Sequence, residues 1–159
     1  CKRRYRHYKT RCKRNIMKIK TFRGKLKDGQ VERIRLSTNQ GLKGYRIVKF
    51  QIMADRPGLD SYELVARLTT QYQDATGAIN FDDPLLLGVA YLAGAANSIN
   101  YPTSGGVIFD HVKFNQDIYI GALDVNGSEH TNYYVELEQV TLDVNEATVA
   151  TLKDMRGRE

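Results

Sequence analysis

The residues best equipped for chemistry are cations concentrated at the start of the chain. Residues 1–27 contain thirteen Lys and Arg residues and neither Asp nor Glu. Tyr5, His7 and Tyr8 lie among these charges. Because Arg and Lys neutralise phosphates while aromatic rings stack on bases, this mixture predicts nucleic-acid binding. A block of like charges repels itself, so we expect an extended arm that binds without sequence specificity.

The arm residues expected to contact nucleic acid are basic or aromatic. They are Lys2, Arg3, Arg4, Tyr5, Arg6, Tyr8, Lys9, Arg11, Lys13, Arg14, Lys18 and Lys20. The same composition also fits a solubilising tail, a nuclear-localisation signal or a membrane-surface signal. Residues 28–159 hold eleven basic and eighteen acidic residues, a net charge of −7. The predicted organisation is therefore a basic arm, residues 1–27, followed by an acidic body, residues 28–159.

Residues suited to catalysis are few. The histidines are His7, His111 and His130. Asp110 precedes one of them, but no Ser or Cys stands in an activated-nucleophile context. Asp82 and Asp83 are adjacent carboxylates before Pro84, a pattern typical of a turn rather than of an acid/base pair. The sequence therefore predicts that the protein is not an enzyme.

Metal-binding patterns are equally incomplete. Cys1 and Cys12 lack the paired C-x-x-C spacing of zinc modules. A partial calcium loop is formed by Asp124, Asn126, Ser128 and Glu129. It lacks the later bidentate Glu, and a tight hairpin at Asn126-Gly127 explains it more simply. We expect no metal and no cofactor.

The body shows short alternating segments separated by turn residues about every ten positions, which predicts antiparallel strands. The expected strands cover residues 16–22, 31–36, 45–53, 62–68, 85–92, 107–109, 112–120 and a long final strand around 133–138. The apolar run 85–92 also fits a short helix. Seven to nine strands at this spacing are typical of a β-sandwich or barrel.

The segment 45–53 has apolar side chains on both of its expected faces. Period two places Val48, Phe50 and Ile52 on one face and Tyr45 and Ile47 on the other. A monomeric sandwich would leave one set exposed to water, so we expect one face to contact a neighbouring subunit.

One helix is expected, over residues 145–156. Asn145 is a suitable N-cap, and Glu146 lies in the first turn, where it favours the helix dipole. Apolar residues recur every three positions at Val149, Leu152 and Met155. No run of 18 apolar residues occurs anywhere, so we expect no membrane span.

A polybasic arm followed by about eight strands resembles small viral capsid proteins that have a single jelly roll. Residues 33–41, 114–119 and 132–136 also look like strings found in short viral proteins. The resemblance implies an all-β antiparallel sandwich, most simply a single jelly roll, with a short C-terminal helix. It further implies a location in the virion, self-assembly into a shell, contacts with other virion proteins, and an arm bound to the packaged genome.

Two other functions remain open. A stand-alone nucleic-acid-binding module, such as an OB-like barrel, would need a basic, aromatic groove on the body. Its candidate residues are Arg33, Arg35, Lys43, Arg46 and Lys49, with Tyr45 and Phe50. A ribosome-associated protein would thread its basic tail into RNA, but it would have a less acidic body.

Overall fold

Antiparallel strands make up just over half of the residues that the structure describes. The computed structural model describes residues 18–36, 41–96, 103–109 and 112–156. Within these ranges lie eight strands and one helix: β1 (Lys18–Leu26), β2 (Val31–Ile34), β3 (Lys43–Ala54), β4 (Tyr62–Thr69), β5 (Leu86–Gly94), β6 (Thr103–Ile108), β7 (Ile118–Asp124), β8 (Thr131–Thr141) and α1 (Val144–Arg156). Every strand pairing is antiparallel. The prediction of a β body with one terminal helix is confirmed.

The strands form two sheets with the core between them. One sheet has the order β1-β8-β3, and the other has the order β2-β7-β4-β5-β6. Val135 and Leu137 of β8 and Ile118 and Ile120 of β7 are fully buried in the same cluster. Because side chains alternate along each strand, the apolar set of each sheet faces the other sheet. The protein is therefore an antiparallel β-sandwich, as predicted.

β3 contains a bulge that changes which residues face the core. The β3–β8 register shifts between Ile47 and Lys49. Tyr45, Ile47 and Phe50 all lie in the core, whereas the side chain of Val48 is 45% exposed. An extra residue in one strand reverses the alternation beyond it. The prediction that Phe50 and Tyr45 lie on opposite faces is therefore wrong, and this strand gives no reason to expect a neighbour on a second apolar face.

β1 begins inside the segment that charge alone assigned to the arm. Its nine residues, Lys18–Leu26, pair with β8 along their whole length. The basic segment 1–27 therefore includes an edge strand of the sandwich, and residues 1–17 lie outside the described ranges. The first strand of the fold thus begins at Lys18, whereas the basic segment continues to Lys27.

The predicted strand 112–120 is a regular strand only in its last three residues. β7 begins at Ile118, and Phe114 forms an isolated bridge with Tyr45 instead. The two backbone N–H···O distances of this bridge are 2.8 and 3.0 Å. Residues 112–117 therefore cross the end of the core without joining a sheet.

The helix starts with a capping box rather than with the predicted Asn145 N-cap. Oδ1 of Asp143 accepts the Glu146 N–H at 2.7 Å, and Oε2 of Glu146 accepts the Asp143 N–H at 3.3 Å. Lys113 also donates to Glu146 at 2.9 Å, and this bond is the main reason that the pKa of Glu146 falls below its usual value. The first turn is therefore held by side chains on both sides.

The apolar positions of α1 do not make it a membrane helix. Within the described ranges, no helix is long and apolar enough to cross a bilayer.

Tyr133 joins the two sheets near the β1 edge. Its hydroxyl donates to Oε2 of Glu32, in β2, at 3.2 Å. Gly24 lies against its ring, where an added Cβ would come within 2.7 Å of the ring carbon Cε1. Burial first, and then the nearby Glu32 charge, raise the pKa of Tyr133 to about 12.

The raised pKa of Tyr133 predicts a loss of stability at high pH. The folded-state pKa, about 12, lies above the ordinary value of 10.0. The stabilisation is therefore complete below pH 10 and disappears as the pH rises through 12. We expect the unfolding free energy of Tyr133→Phe to fall less steeply than that of the wild type between these pH values. Urea titrations at several pH values measure this difference, and parallel curves for the two proteins would contradict it.

Candidate nucleic-acid interface

Two of the twelve predicted contact residues lie in the described ranges. The others are Lys2, Arg3, Arg4, Tyr5, Arg6, Tyr8, Lys9, Arg11, Lys13 and Arg14, all of which precede residue 18. Lys18 and Lys20 are exposed and lie at the beginning of β1, directly after the undescribed segment. The structure therefore shows where the basic segment joins the body. The nucleic-acid contacts of the residues before position 18 stay a prediction.

Lys20 is exposed, but its side chain also contacts the body. Its Nζ donates to the hydroxyl of Tyr45 at 2.9 Å and lies 5.1 Å from the centre of that ring. Tyr45 is fully buried, so Lys20 satisfies its hydroxyl at the end of the core. Alternation along β1 places Lys18, Lys20 and Phe22 on the same face, and Phe22 packs against the core. Lys20 therefore has a structural role whether or not it contacts a phosphate.

The cations on the other face of β1 are Arg23 and Lys25, which were not among the predicted contact residues. Both are exposed, and they pair in register with Tyr134 and Asn132 of β8. Their spacing of two residues in a strand is the signal that could have identified them. Lys25 binds Asp55 at 2.7 Å, and this hydrogen bond is the main reason that the pKa of Asp55 is lowered.

One acidic residue of β8 forms an ion pair with a cation of β3, and none forms an ion pair with a cation of β1 in the described part of the chain. Glu138 forms an ion pair with Arg46, and Glu136 accepts the hydroxyl of Tyr134 at 2.8 Å. Lys49 lies 5.6 Å from the centre of the Tyr134 ring. Within the described part of the chain, no ion pair is formed by Lys18, Lys20, Arg23 and Lys27 in and beside β1, or by Lys43 and Lys49 in β3. Unpaired positive charge therefore lies along both edges of this sheet, and more of it lies on the β1 edge.

The basic, aromatic groove required by an OB-like module does not form as predicted. Its two rings, Tyr45 and Phe50, are buried in the core. Arg33 binds Asp117 at 2.5 Å, and Arg46 binds Glu138. Base stacking needs an exposed ring, so these residues cannot provide the stacking surface of that alternative.

The partial calcium loop has a structural explanation. The carboxylate of Asp124 is buried and accepts backbone N–H groups from Glu63, Asn126 and Glu129 at 3.0, 3.2 and 3.0 Å. The turn at Asn126-Gly127 connects β7 to β8, which belong to different sheets, so the predicted tight hairpin is wrong. Across the described residues, no group of three His, Cys, Asp or Glu side chains is positioned to hold a metal ion.

Comparisons with known proteins do not assign the chain to a family. No protein-family model, no protein of curated function and no solved structure matches it. A functional interpretation must therefore depend on the charges and geometry described above.

Proposed function

We propose that this chain is a capsid or virion structural protein. Its β body self-assembles, and its N-terminal arm binds the packaged nucleic acid without sequence specificity. The observation that carries the proposal is the continuity between the basic segment and an edge strand of a sandwich. Residues 1–17 lead directly into β1, whose available cations lie along one edge of the smaller sheet.

The charge on the rest of the body supports separate roles for the arm, which binds nucleic acid, and the body, which assembles. Between residues 57 and 152 there are thirteen acidic residues and two basic ones, Arg67 and Lys113. An acidic surface repels nucleic acid, so the attractive region lies in the N-terminal part of the chain, where the arm and β1 carry the most positive charge. Weak binding by one arm becomes strong when many copies act together. A shell of such subunits would hold a polyanion on one side without reading its sequence.

The strand pairing supports a single jelly roll as the form of the sandwich. A jelly roll is an eight-stranded antiparallel hairpin wound upon itself, so its first strand pairs with its last, its second with its seventh, and so on inward. The pairs β1–β8, β2–β7 and β4–β5 are formed here. Three of the four pairs in this scheme are therefore present.

The fourth pair, β3–β6, is replaced by a groove. β6 bonds to β5, and a groove of about 610 Å³ separates residues 50–53 of β3 from residues 104–108 of β6. A second hollow brings Val48 of β3 beside Ile108 of β6. The middle of β3 thus lies beside the end of β6 and its later residues face the rest of β6, as expected for the antiparallel arrangement of a jelly roll. We propose that the sandwich is a jelly roll open at this seam.

The size of the purified particle tests the proposed function. The full chain would be examined by light scattering and negative-stain electron microscopy, with and without mixed-sequence single-stranded oligonucleotide. We expect closed shells or large symmetric rings, with nucleic acid protected from nuclease. An 18.1 kDa monomer under all conditions would contradict the proposal. A monomer bound to a defined oligonucleotide would favour the binding-module alternative.

A further inference from the structure

α1 directs its apolar side chains away from the body. Val144, Val149, Leu152 and Met155 are 71%, 52%, 47% and 58% exposed. At about 100° per residue they cover an arc of roughly 140° on the helix surface. We call these four residues the α1 stripe. Exposed apolar stripes of this kind mark surfaces that another element covers.

The side of α1 that faces the body is held mainly by polar contacts. Among the thirteen residues of α1, all of them described, Ala147 alone is buried. Nδ2 of Asn115 donates to Thr151 Oγ1 at 3.1 Å, and Nε2 of Gln71 donates to the Asp154 carbonyl oxygen at 2.7 Å. The usual orientation of an amphipathic helix is therefore reversed, and the body does not cover the α1 stripe.

We propose that the α1 stripe is the contact surface for a second copy of this chain, with the two helices antiparallel about a two-fold axis. The charges favour this occupant and this direction. The first turn carries Glu146 and the Asp143 cap with Lys113 paired to Glu146, a net negative end, and the last turn carries Lys153, Asp154 and Arg156, a net positive end. An antiparallel pair places the acidic end of each helix beside the basic end of the other, whereas a parallel pair would align like charges.

The surface also has matching shape. A hollow of about 320 Å³ lies beside the α1 stripe, between α1 and the Gly41-Leu42 segment. In a two-fold pair, a projecting side chain such as Leu152 from each copy can enter the hollow of the other. A surface that carries both a projecting side chain and a hollow can pack against a second copy of itself.

The expected dimer is weak by itself. A helix of this length extends about 20 Å, and a contact along it covers less area than the roughly 800 Å² per partner of a stable interface. The contact becomes effective when many copies assemble, because the interactions then add. The inference therefore deepens the assembly half of the proposed function and rests on it.

Sedimentation velocity of the full chain, without nucleic acid, tests the contact over a concentration series. The test variant is Leu152→Glu, Met155→Glu. The matched control is Leu59→Glu, Val125→Glu, which changes two exposed apolar side chains outside α1. We expect concentration-dependent association of the wild type and the control. The test variant should need more than about tenfold higher concentration for the same degree of association, since it replaces two apolar side chains of the contact with charged ones.

The outcomes separate this inference from the proposed function. Wild-type-like association of the test variant, or particles of unchanged size, would overturn the helix contact alone. A wild type that remains monomeric with and without nucleic acid would overturn both. Circular dichroism melts check that the test variant folds, and Leu152→Ser, Met155→Ser replaces it if its melting temperature falls.

Pulsed electron paramagnetic resonance tests the direction of the pair. In a Cys1→Ser, Cys12→Ser chain, a spin label is placed through either Val144→Cys or Val149→Cys. In an antiparallel pair the labels at 144 lie at opposite ends, about 20 Å apart along the axis, and the labels at 149 lie near the centre. Short distances at both positions would indicate a parallel pair and overturn the antiparallel arrangement.

Discussion

Deletion of residues 1–16 is expected to remove most of the affinity for single-stranded nucleic acid. The deletion removes eight of the thirteen cations in residues 1–27, together with Tyr5 and Tyr8. Stacking on two tyrosines, at about 1 kcal/mol each, corresponds by itself to roughly thirtyfold in affinity. Of the five cations that remain, Lys20 and Lys25 are already bound to Tyr45 and Asp55.

The dependence of the affinity on salt concentration should also weaken when residues 1–16 are deleted. If about half of the thirteen cations contact phosphates, the full chain has a log–log salt slope of roughly −4 to −5. With five cations left, the slope should weaken to about −2. Affinities for mixed-sequence oligonucleotides across a salt series measure both quantities.

A matched control locates the effect in the arm. Arg35→Ser, Lys43→Ser removes two exposed cations from the body and leaves the arm intact, so its affinity and slope should change little. Unchanged binding by the truncated chain would instead place the site on the body, around Arg33, Arg35 and Arg46.

The strands that could be predicted from the sequence are those whose signal is local. Tyr62, Leu64, Ala66 and Leu68 recur at every second position of β4 and all four are buried, and Val65 between them is buried as well. The same period identified β8, where Val135 and Leu137 are fully buried. Alternation depends only on which face of a strand is covered, so it is visible without knowledge of the partner strand.

The features that could not be predicted depend on contacts between distant parts of the chain. The bulge at Val48 carries no Gly or Pro, and it is defined by the register of β3 on β8. The short loop after Asp124 looked like a hairpin, but β7 and β8 belong to different sheets. The Asp143 cap is a different case, because Glu146 three residues later is a capping-box signal that the sequence contains.

The candidate interface also combines features that are local in the sequence with features that depend on distant contacts. The charge of the basic segment is a property of composition and needs no fold to be recognised. The orientation of each cation depends on strand register, which places Lys20 against Tyr45 and directs Arg23 to the opposite face. A basic residue in this segment can therefore serve the fold, the ligand or both, and only the register distinguishes these roles.

Asp124 links three parts of the sandwich through one buried carboxylate. Its Oδ1 accepts the N–H of Glu63, just after the start of β4, and the N–H of Asn126 in the turn after β7. Its Oδ2 accepts the buried N–H of Glu129, just before β8 begins. Its own N–H donates to Oδ1 of Asp28 at 2.8 Å, in the turn between β1 and β2. The carboxylate therefore fixes the point where the chain crosses from one sheet to the other.

Asp124→Ala is expected to destabilise the protein by about 3–5 kcal/mol. The substitution leaves three backbone donors without their acceptor, and each such loss costs roughly 1–3 kcal/mol when the group is buried. Asp124→Asn should cost less, because its amide oxygen still accepts one or two of the bonds while its NH₂ opposes a remaining donor. Asp82→Ala, an exposed carboxylate in another turn, is the control and should stay within about 0.5 kcal/mol of the wild type. Urea unfolding at constant m-value measures all three. A loss below 1 kcal/mol for Asp124→Ala would contradict this role and mean that water replaces the carboxylate at this crossing.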